Sequence, residues 1–198
     1  MNAIGLISFA SSGTIKALKN RLDLFGIFVV GIITALGGGI IRDTMVNRIP
    51  FAFTSYMDMT LAVITVFITL LLFKFIKFEI KSFYITIIPD AIGLAAFTTT
   101  GALVATESTL SFFGVLILSA TTAIGGGVSS DVILGKIPSV LKDDYLYASC
   151  AILGGISFFA SSEFLGFSMF MSSIVCISIT LSIRIIAIIF NLKLPRIN

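Results

Sequence analysis

Long apolar runs, separated by short clusters of charged residues, make up most of the chain. They predict seven hydrophobic helices, at about residues 3–18, 24–46, 54–73, 82–105, 110–134, 145–162 and 165–190. A helix needs about 20 predominantly apolar residues to cross a bilayer. The pattern therefore predicts an all-α integral membrane protein with seven transmembrane helices and short connections between them.

The composition supports this interpretation and excludes several classes of function. Of the 198 residues, 57% are hydrophobic and 12% are charged, whereas soluble domains carry about 25% charged residues. The chain has no histidine, and both cysteines lie in apolar runs, so zinc, haem and serine-histidine-aspartate sites lack their ligands or catalytic groups. We therefore expect no enzyme, no cofactor and no metal site. The basic residues form no continuous patch, which argues against a nucleic-acid partner.

The basic residues are distributed unevenly between the two ends of the predicted helices. One side of the membrane would receive only Arg42 and Arg48. The other side would receive Lys16, Lys19, Arg21, Lys74, Lys77, Lys81, Lys136, Lys142, Lys193 and Arg196. Since cytoplasmic loops carry an excess of Lys and Arg, we predict an N-terminus outside and a C-terminus in the cytoplasm. Arg184, in the seventh run, is interpreted as an anchor that reaches the membrane interface.

Two segments of the chain repeat one another at an offset of 88 residues. Between residues 2–50 and 90–138, 18 of 49 aligned pairs are identical, including a glycine triplet, an aspartate and an Ile-Pro step. Each repeat holds three predicted helices, an odd number, so the second copy would enter the membrane from the opposite side. We predict one membrane domain with inverted repeats at about 2–75 and 90–163 and an extra helix at about 165–190. Inverted repeats are typical of proteins that carry solutes across membranes.

Each repeat carries a glycine triplet in the middle of its second helix. The triplets are Gly37, Gly38, Gly39 and Gly125, Gly126, Gly127. Because glycine weakens a helix by about 1 kcal/mol relative to alanine, we predict a break or kink there, whose freed carbonyls can face a cation in a pathway. On this interpretation, alanine at Gly38 or Gly126 would change gating with little loss of stability. The alternative is that the triplets only let helices pack closely.

Two aspartates, Asp43 and Asp131, follow the triplets at equivalent positions. A charge at membrane depth costs about 2.5–3.5 kcal/mol unless it meets water or a partner, so both are predicted to face the interior. Arg42 precedes Asp43, and adjacent helical residues point about 100° apart, so we expect Arg42 to pair elsewhere. Two acids and one base would bias the pathway towards cations. A buried ion-pair lock between Arg42 and the carboxylates is the alternative.

Other polar residues complete the candidate pathway. Hydroxyl groups at this density either line a wet path or bond the carbonyls of their own helix, and both interpretations stay open. The hydroxyl candidates are Ser12, Thr34, Thr122, Ser129 and Ser130. Asp90, which follows Pro89 at the start of the second repeat, is a further candidate.

A basic stripe follows the third predicted helix. It consists of Lys74, Lys77 and Lys81, interleaved with phenylalanines. We interpret it as an anchor on the positive side of the membrane. The alternative is a weak binding site for the headgroup of an anionic lipid.

The twofold pattern Gly-Gly-Gly-x-x-x-Asp, followed by five residues and Ile-Pro, resembles the prokaryotic branch of the TRIC (trimeric intracellular cation) channel family, which is related to the glycine-transporter-domain membrane proteins. The resemblance covers about residues 2–190, although Ser130 stands where the first copy has Arg42. It implies a homotrimer in the plasma membrane of a prokaryote, a pore in each protomer, potassium as the main permeant ion, and helices bent at the glycines. The Lys-Glu-Val motif of the animal members is absent, so their lipid and calcium regulation is not implied.

The sequence thus predicts a passive channel for potassium and similar cations. Two alternatives stay open. One is a transporter for a small amino acid such as glycine, with the broken helices as its binding site. The other is a structural membrane protein without a pathway, which leaves the recurrence of both aspartates unexplained.

Overall fold

A computed structural model describes residues 1–75, 83–141 and 146–193, and within these ranges the chain forms eight α-helices and one 3-10 turn. The helices are α1 (Asn2–Lys19), α2 (Leu24–Met45), α3 (Phe51–Thr54), α4 (Tyr56–Phe75), α5 (Phe83–Glu107), α6 (Phe112–Ile133), α7 (Ala148–Glu163) and α8 (Met169–Ile189), and the turn spans Ser139–Leu141. The predicted all-α class is confirmed.

The long helices follow the predicted apolar runs to within a few residues, and the short α3 is additional. Of the described helices, five are long and apolar enough to cross a membrane, namely α2, α4, α5, α6 and α8. α7 has only 16 residues, so the number of membrane crossings stays a prediction. Large apolar side chains such as Phe25, Tyr56 and Phe170 are exposed on the outside of the bundle, as expected for a surface that faces lipid.

The helices that correspond between the repeats begin with equivalent caps. The Asp23 carboxylate accepts the backbone N–H of Gly26 before α2, and the Ser111 hydroxyl accepts that of Gly114 before α6. Both capping residues lie 88 positions apart, and a side-chain oxygen at this position satisfies an N–H group that has no partner in the helix. The repeat is therefore visible in local structure as well as in sequence.

The core forms where α1 and α2 pack against α5 and α6. Phe9 and Phe97 are buried, and their rings meet edge to face with centroids 5.2 Å apart. A Cβ atom on Gly5 would overlap the Phe97 ring, and one on Gly93 would overlap the Phe9 ring. Each repeat thus places a phenylalanine over a glycine of the other repeat, so the contact is made twice.

The glycine triplets lie where α2 crosses α6. A Cβ on Gly38 would collide with the Thr122 carbonyl oxygen, and a Cβ on Gly126 would collide with the Thr34 carbonyl oxygen. Both helices run through their triplets without interruption, so a break in the helix is wrong, whereas a kink at the triplets stays a prediction. The absence of side chains lets the two backbones touch, and the packing of neighbouring helices then offsets the low helix propensity of glycine.

Helices α7 and α8 lie against α5 on one side of this core. A Cβ on Gly154 of α7 would overlap the Thr180 hydroxyl of α8, so the two helices approach closely at that level. This placement brings the end of α8 to the same end of the bundle as the start of α5 and the end of α6, which matters for the site described next.

Candidate functional site

Two sites occupy equivalent positions at the C-terminal ends of α2 and α6, here called the Asp43 site and the Asp131 site. The Oδ2 atom of Asp43 accepts the backbone N–H of Phe51 at 3.0 Å, and Oδ2 of Asp131 accepts that of Ser139 at 2.8 Å. The main-chain oxygens of the two aspartates each accept an N–H group five residues later, at 2.8 Å. The chain beyond each helix therefore folds back onto the aspartate in the same way.

The Asp43 site is an ion pair between neighbours in the sequence. Nε of Arg42 donates to Oδ1 of Asp43 at 2.8 Å, and Nη2 of Arg42 lies 2.7 Å from the same oxygen. The two residues are 5% and 1% exposed, beside a void of only about 10 Å³. Our expectation that Arg42 pairs elsewhere is wrong, because the long arginine side chain can fold back along the helix although the two Cα–Cβ bonds diverge.

The Asp131 site has a partner from another helix. Nζ of Lys16, in α1, lies 3.2 Å from Oδ1 of Asp131, and the Ser139 hydroxyl donates to Oδ2 at 2.6 Å. The Lys16 side chain is 18% exposed, compared with 6% for Arg42. Ser130, at the position of Arg42, donates its hydroxyl to the Gly127 carbonyl instead. In the second repeat the base that pairs with the aspartate therefore comes from another helix, whereas in the first repeat it is the preceding residue in the sequence.

A second charged cluster forms around Asp90 in the first half of α5. The Tyr147 hydroxyl donates to Oδ1 of Asp90 at 3.2 Å, and Nη2 of Arg184 lies 3.8 Å from Oδ2. The Arg184 guanidinium also stacks over the Tyr147 ring at 4.6 Å from its centroid and donates to the Leu146 carbonyl at 2.6 Å. Arg184 is 5% exposed, so its interpretation as an interfacial anchor is wrong.

One cavity of about 390 Å³ connects the Asp131 site with the Asp90 cluster. The described residues that line it are Lys16, Lys19, Asn20, Thr86, Ile87, Asp90, Asp131, Leu134, Lys136, Ile137, Ser139, Tyr147 and Arg184. Four of these side chains are basic and two are acidic, so this lining carries a net charge of +2. The predicted excess of acids over bases does not describe this cavity, because α1, α8 and the turn after α6 contribute bases that the local motifs do not contain.

The predicted hydroxyl residues divide into two groups. Thr34, Thr122, Ser129 and Ser130 each donate to a carbonyl of their own helix. Ser12 instead reaches from α1 to the Thr86 carbonyl of α5, at 3.4 Å. The lining given above includes none of these five, so in the part of the chain that the structure describes they do not form the wall of this cavity.

The remaining predicted residues lie at the edge of the two sites or away from them. Gly39 and Gly127, the last glycines of the triplets, border the two sites: a Cβ there would be 3.8 Å from Nη2 of Arg42 and 3.5 Å from the Tyr147 hydroxyl, respectively. Lys74 is exposed, with Nζ 6.0 Å from the centre of the Phe75 ring. Lys77 and Lys81 lie outside the described residues. Among the described residues, no group of three or more His, Cys, Asp or Glu side chains could hold a metal ion.

Sequence reasoning missed several residues of the cavity, chiefly Lys16, Ser139, Tyr147 and Arg184. A usable signal existed for two of them. Lys16 and Arg184 lie inside predicted membrane runs, and a charge inside such a run is expensive unless it has a partner or meets water. Treating both as markers of topology concealed their pairing. Tyr147 and Ser139 carry no comparable signal, because only tertiary packing brings them to the two aspartates.

Comparison with known proteins gives consistent results. The family model described as "Glycine transporter" matches residues 1–74 and 87–163, which are nearly the two predicted repeats. A membrane protein of Bacillus subtilis, UPF0126 membrane protein YvgT, is 34% identical over 99% of this chain and 94% of its own length.

Solved structures are similar over the whole fold. A structure reported for conductance through TRIC cation channels superimposes with a TM-score of 0.89 and 35% identity, covering 100% of this chain and 95% of that one. A prokaryotic TRIC channel crystallised in 0.5 M KCl gives a TM-score of 0.84 and 33% identity, covering 98% and 96%.

Proposed function

The chain belongs to the prokaryotic TRIC family, and from this premise we propose that it is a passive channel for potassium and similar monovalent cations, with a pore in each protomer of a homotrimer. The observation that carries the proposal is the cavity of about 390 Å³ inside the bundle, whose lining includes the charged residues Asp90, Asp131 and Lys16. A cavity with ionised side chains inside an otherwise apolar helix bundle is where a solute pathway is expected.

The proposed pathway runs from this cavity past the crossing of α2 and α6 to the Asp43 site. In the present structure each of its carboxylates is held by a base: Asp131 by Lys16, Asp90 by Arg184 and Asp43 by Arg42. A cation entering from the cavity would meet a net positive lining. We therefore interpret this conformation as non-conducting, and propose that conduction requires Lys16 to move away from Asp131.

Selectivity would follow from the carboxylates once they are released. An ionised carboxylate in a narrow polar passage attracts cations and repels chloride. The sequence contains no Thr-Val-Gly-Tyr-Gly filter, which in potassium channels replaces the hydration shell of the ion. We therefore expect clear selectivity for cations over chloride and only modest discrimination between potassium and sodium.

Recordings from purified protein in a planar bilayer test the function directly. Under bi-ionic potassium and chloride gradients, we expect discrete current steps whose reversal potential follows potassium. A transporter for a small amino acid, the second candidate, would instead give saturable uptake of glycine without steps. Neither steps nor uptake would favour a structural membrane protein.

Assembly and orientation have separate tests. Native mass spectrometry in a mild detergent should show a trimer, and a spectrum with only monomers and dimers would contradict the proposed assembly. A cysteine introduced at Asn198 should react from the cytoplasm and one introduced at Glu163 from outside. Labelling of both from one side would overturn the seven-helix inverted topology.

A further inference from the structure

The turn after α2 is tied to the end of α5 by one arginine. Nη1 of Arg48 lies 3.2 Å from Oε2 of Glu107, and Nη2 donates to the Ser108 hydroxyl at 3.0 Å. The backbone N–H of Arg48 also donates to the main-chain oxygen of Asp43 at 2.8 Å. A single residue therefore joins the turn, the Asp43 site and α5.

Residues 46–54, here called the Asp43 lid, comprise this turn and α3. Phe51 and Ala52 of the lid line the void of about 10 Å³ that also borders Gly39 and Asp43. A void of this size holds about one water molecule, so a hydrated cation cannot pass the Asp43 site while the lid stays in place. Opening of the proposed pathway at this end therefore requires the lid to move.

The turn after α6 folds back onto Asp131 in the same way, but it carries different charges. The positions that lie 88 residues from Arg48 and Glu107 hold Lys136 and Lys19. Two bases cannot form an ion pair with one another, and both lysines line the cavity of about 390 Å³. Like charges at these positions thus accompany an open cavity, whereas opposite charges at the equivalent positions accompany a closed void.

We propose that the ion pair of Arg48 with Glu107 is a latch that holds the Asp43 lid closed, and that the pathway opens at this end when the latch breaks. The latch is independent of the proposed function, whereas its effect on conduction rests on it. The two side chains are 37% and 62% exposed. An ion pair with this exposure shifts an equilibrium by about fivefold or less, so thermal motion can break and re-form it.

A cysteine at Gly39 reports on the lid without any current measurement. Gly39 borders the void, and the nearest atom to a Cβ there is Nη2 of Arg42, at 3.8 Å, so the substitution fits. In purified full-length protein in a neutral detergent, a small uncharged methanethiolsulfonate should modify Gly39→Cys slowly, because it reacts when the lid opens. Adding Arg48→Gln or Glu107→Gln should accelerate the reaction by about two- to fivefold.

Matched variants assign this acceleration to the latch. The exchanged variant Arg48→Glu/Glu107→Arg can re-form the ion pair, so it should return the rate towards that of the unmodified latch. Glu163→Gln removes an exposed carboxylate at the end of α7 and should leave the rate unchanged. Protein without an introduced cysteine gives the background, because both native cysteines are buried.

The salt concentration provides a second measurement. Salt screens an exposed ion pair, so more salt should accelerate modification of Gly39→Cys and have little effect once Arg48→Gln is present. Rates that respond neither to the single substitutions nor to salt would overturn the latch. An acceleration that the exchanged variant does not reverse would overturn the ion pair as its cause.

Bilayer recordings then test the effect of the latch on the proposed channel. Arg48→Gln and Glu107→Gln change the local charge in opposite directions, so a potassium current that rises about two- to fivefold in both is explained by opening and not by charge at the mouth. Faster modification with no current in any protein would contradict the channel and leave the latch standing. Faster modification with unchanged currents would overturn opening of the pathway at the Asp43 end.

Discussion

The Asp43 and Asp131 sites have the same backbone arrangement, but they differ in the base that pairs with the aspartate and in the volume of the neighbouring cavity. In both, the chain folds back so that a backbone N–H eight residues later binds Oδ2. Asp43 then pairs with its neighbour Arg42 beside a void of about 10 Å³, whereas Asp131 pairs with Lys16 of α1 on the wall of a cavity of about 390 Å³.

This contrast arises from a single position in the repeat. Where the first copy has Arg42, the second has Ser130, whose small side chain bonds its own helix. The base that compensates Asp131 must then come from elsewhere, and a base on another helix can move independently of the carboxylate. The comparison teaches that two copies with the same backbone arrangement can pair one carboxylate with its neighbour in the helix and the other with a base on a different helix.

Neutralising the two aspartates should produce the largest difference between the sites. Asp43→Asn leaves the Arg42 charge buried without its ion pair, a change that costs about 3–5 kcal/mol of unfolding free energy. In Asp131→Asn, Lys16 can reach the water of the cavity, so we expect a loss of about 1 kcal/mol. Equilibrium unfolding in detergent measures both. Equal losses would contradict the distinction between an ion pair enclosed in the protein and one on the wall of the cavity.

Alanine at Gly38 or Gly126 tests the crossing of α2 and α6, the two helices that carry the Asp43 and Asp131 sites. Gly38→Ala and Gly126→Ala place a Cβ against the Thr122 and Thr34 carbonyl oxygens, so each should lose about 1–3 kcal/mol or more and reduce the yield of folded protein. This replaces the expectation of altered gating at little cost.

The adjacent glycines are matched controls for that crossing. At Gly39 and Gly127 a Cβ would meet only side-chain atoms at ordinary contact distances, 3.8 and 3.5 Å away. Gly39→Ala and Gly127→Ala should therefore be neutral or stabilising by up to about 1 kcal/mol, because alanine favours the helix. Comparable melting temperatures for all four variants would show that α2 and α6 can lie further apart at their crossing without loss of stability.

Removal of Lys16 should increase the selectivity of the proposed pathway for cations over chloride. Lys16→Gln leaves the Asp131 carboxylate without its ion pair at the cavity and lowers the net charge of the lining by one. We expect the permeability ratio of potassium to chloride to rise severalfold in bilayer recordings, while Lys74→Gln leaves it unchanged. An unaltered or lower ratio in a well-folded Lys16→Gln protein would remove the Lys16–Asp131 pair from the proposed pathway.

The smallest effect should come from Ser139, whose hydroxyl gives Asp131 a bond that Asp43 lacks. Phe51, its counterpart, offers only a backbone N–H. Ser139→Ala keeps the backbone bond and removes the hydroxyl bond, which is worth about 0.5–1.5 kcal/mol. Thermal unfolding should show a loss within that range. A larger loss would mean that the hydroxyl, and not the folded-back chain, fixes Asp131.

The elements of this fold could be predicted well because each depends on local sequence. Apolar runs fixed the long helices to within a few residues, and the 88-residue offset located the residues that make equivalent contacts, from the caps Asp23 and Ser111 to the glycines of the crossing. The predicted break at the triplets failed because helix propensity is a local quantity, whereas the contact of Gly38 with Thr122 is a tertiary one.

The candidate site was harder to predict from the sequence. The three aspartates were found because an acid in an apolar run is conspicuous. Their partners were not, because Lys16 corresponds to Val104 in the other repeat and Arg184 lies outside both repeats. The pairing of Arg42 with Asp43 was not expected, because an ideal helix describes the directions of Cα–Cβ bonds and not the reach of a long side chain.

The paired contacts of Phe9 with Gly93 and of Phe97 with Gly5 have a consequence for the substitutions that the chain can accept. A contact in which residue i of one unit meets residue j of the other, and j meets i, is the signature of an isologous interface between identical subunits. Here it occurs inside one polypeptide. A substitution at any of these four residues is therefore constrained by its partner in the other copy.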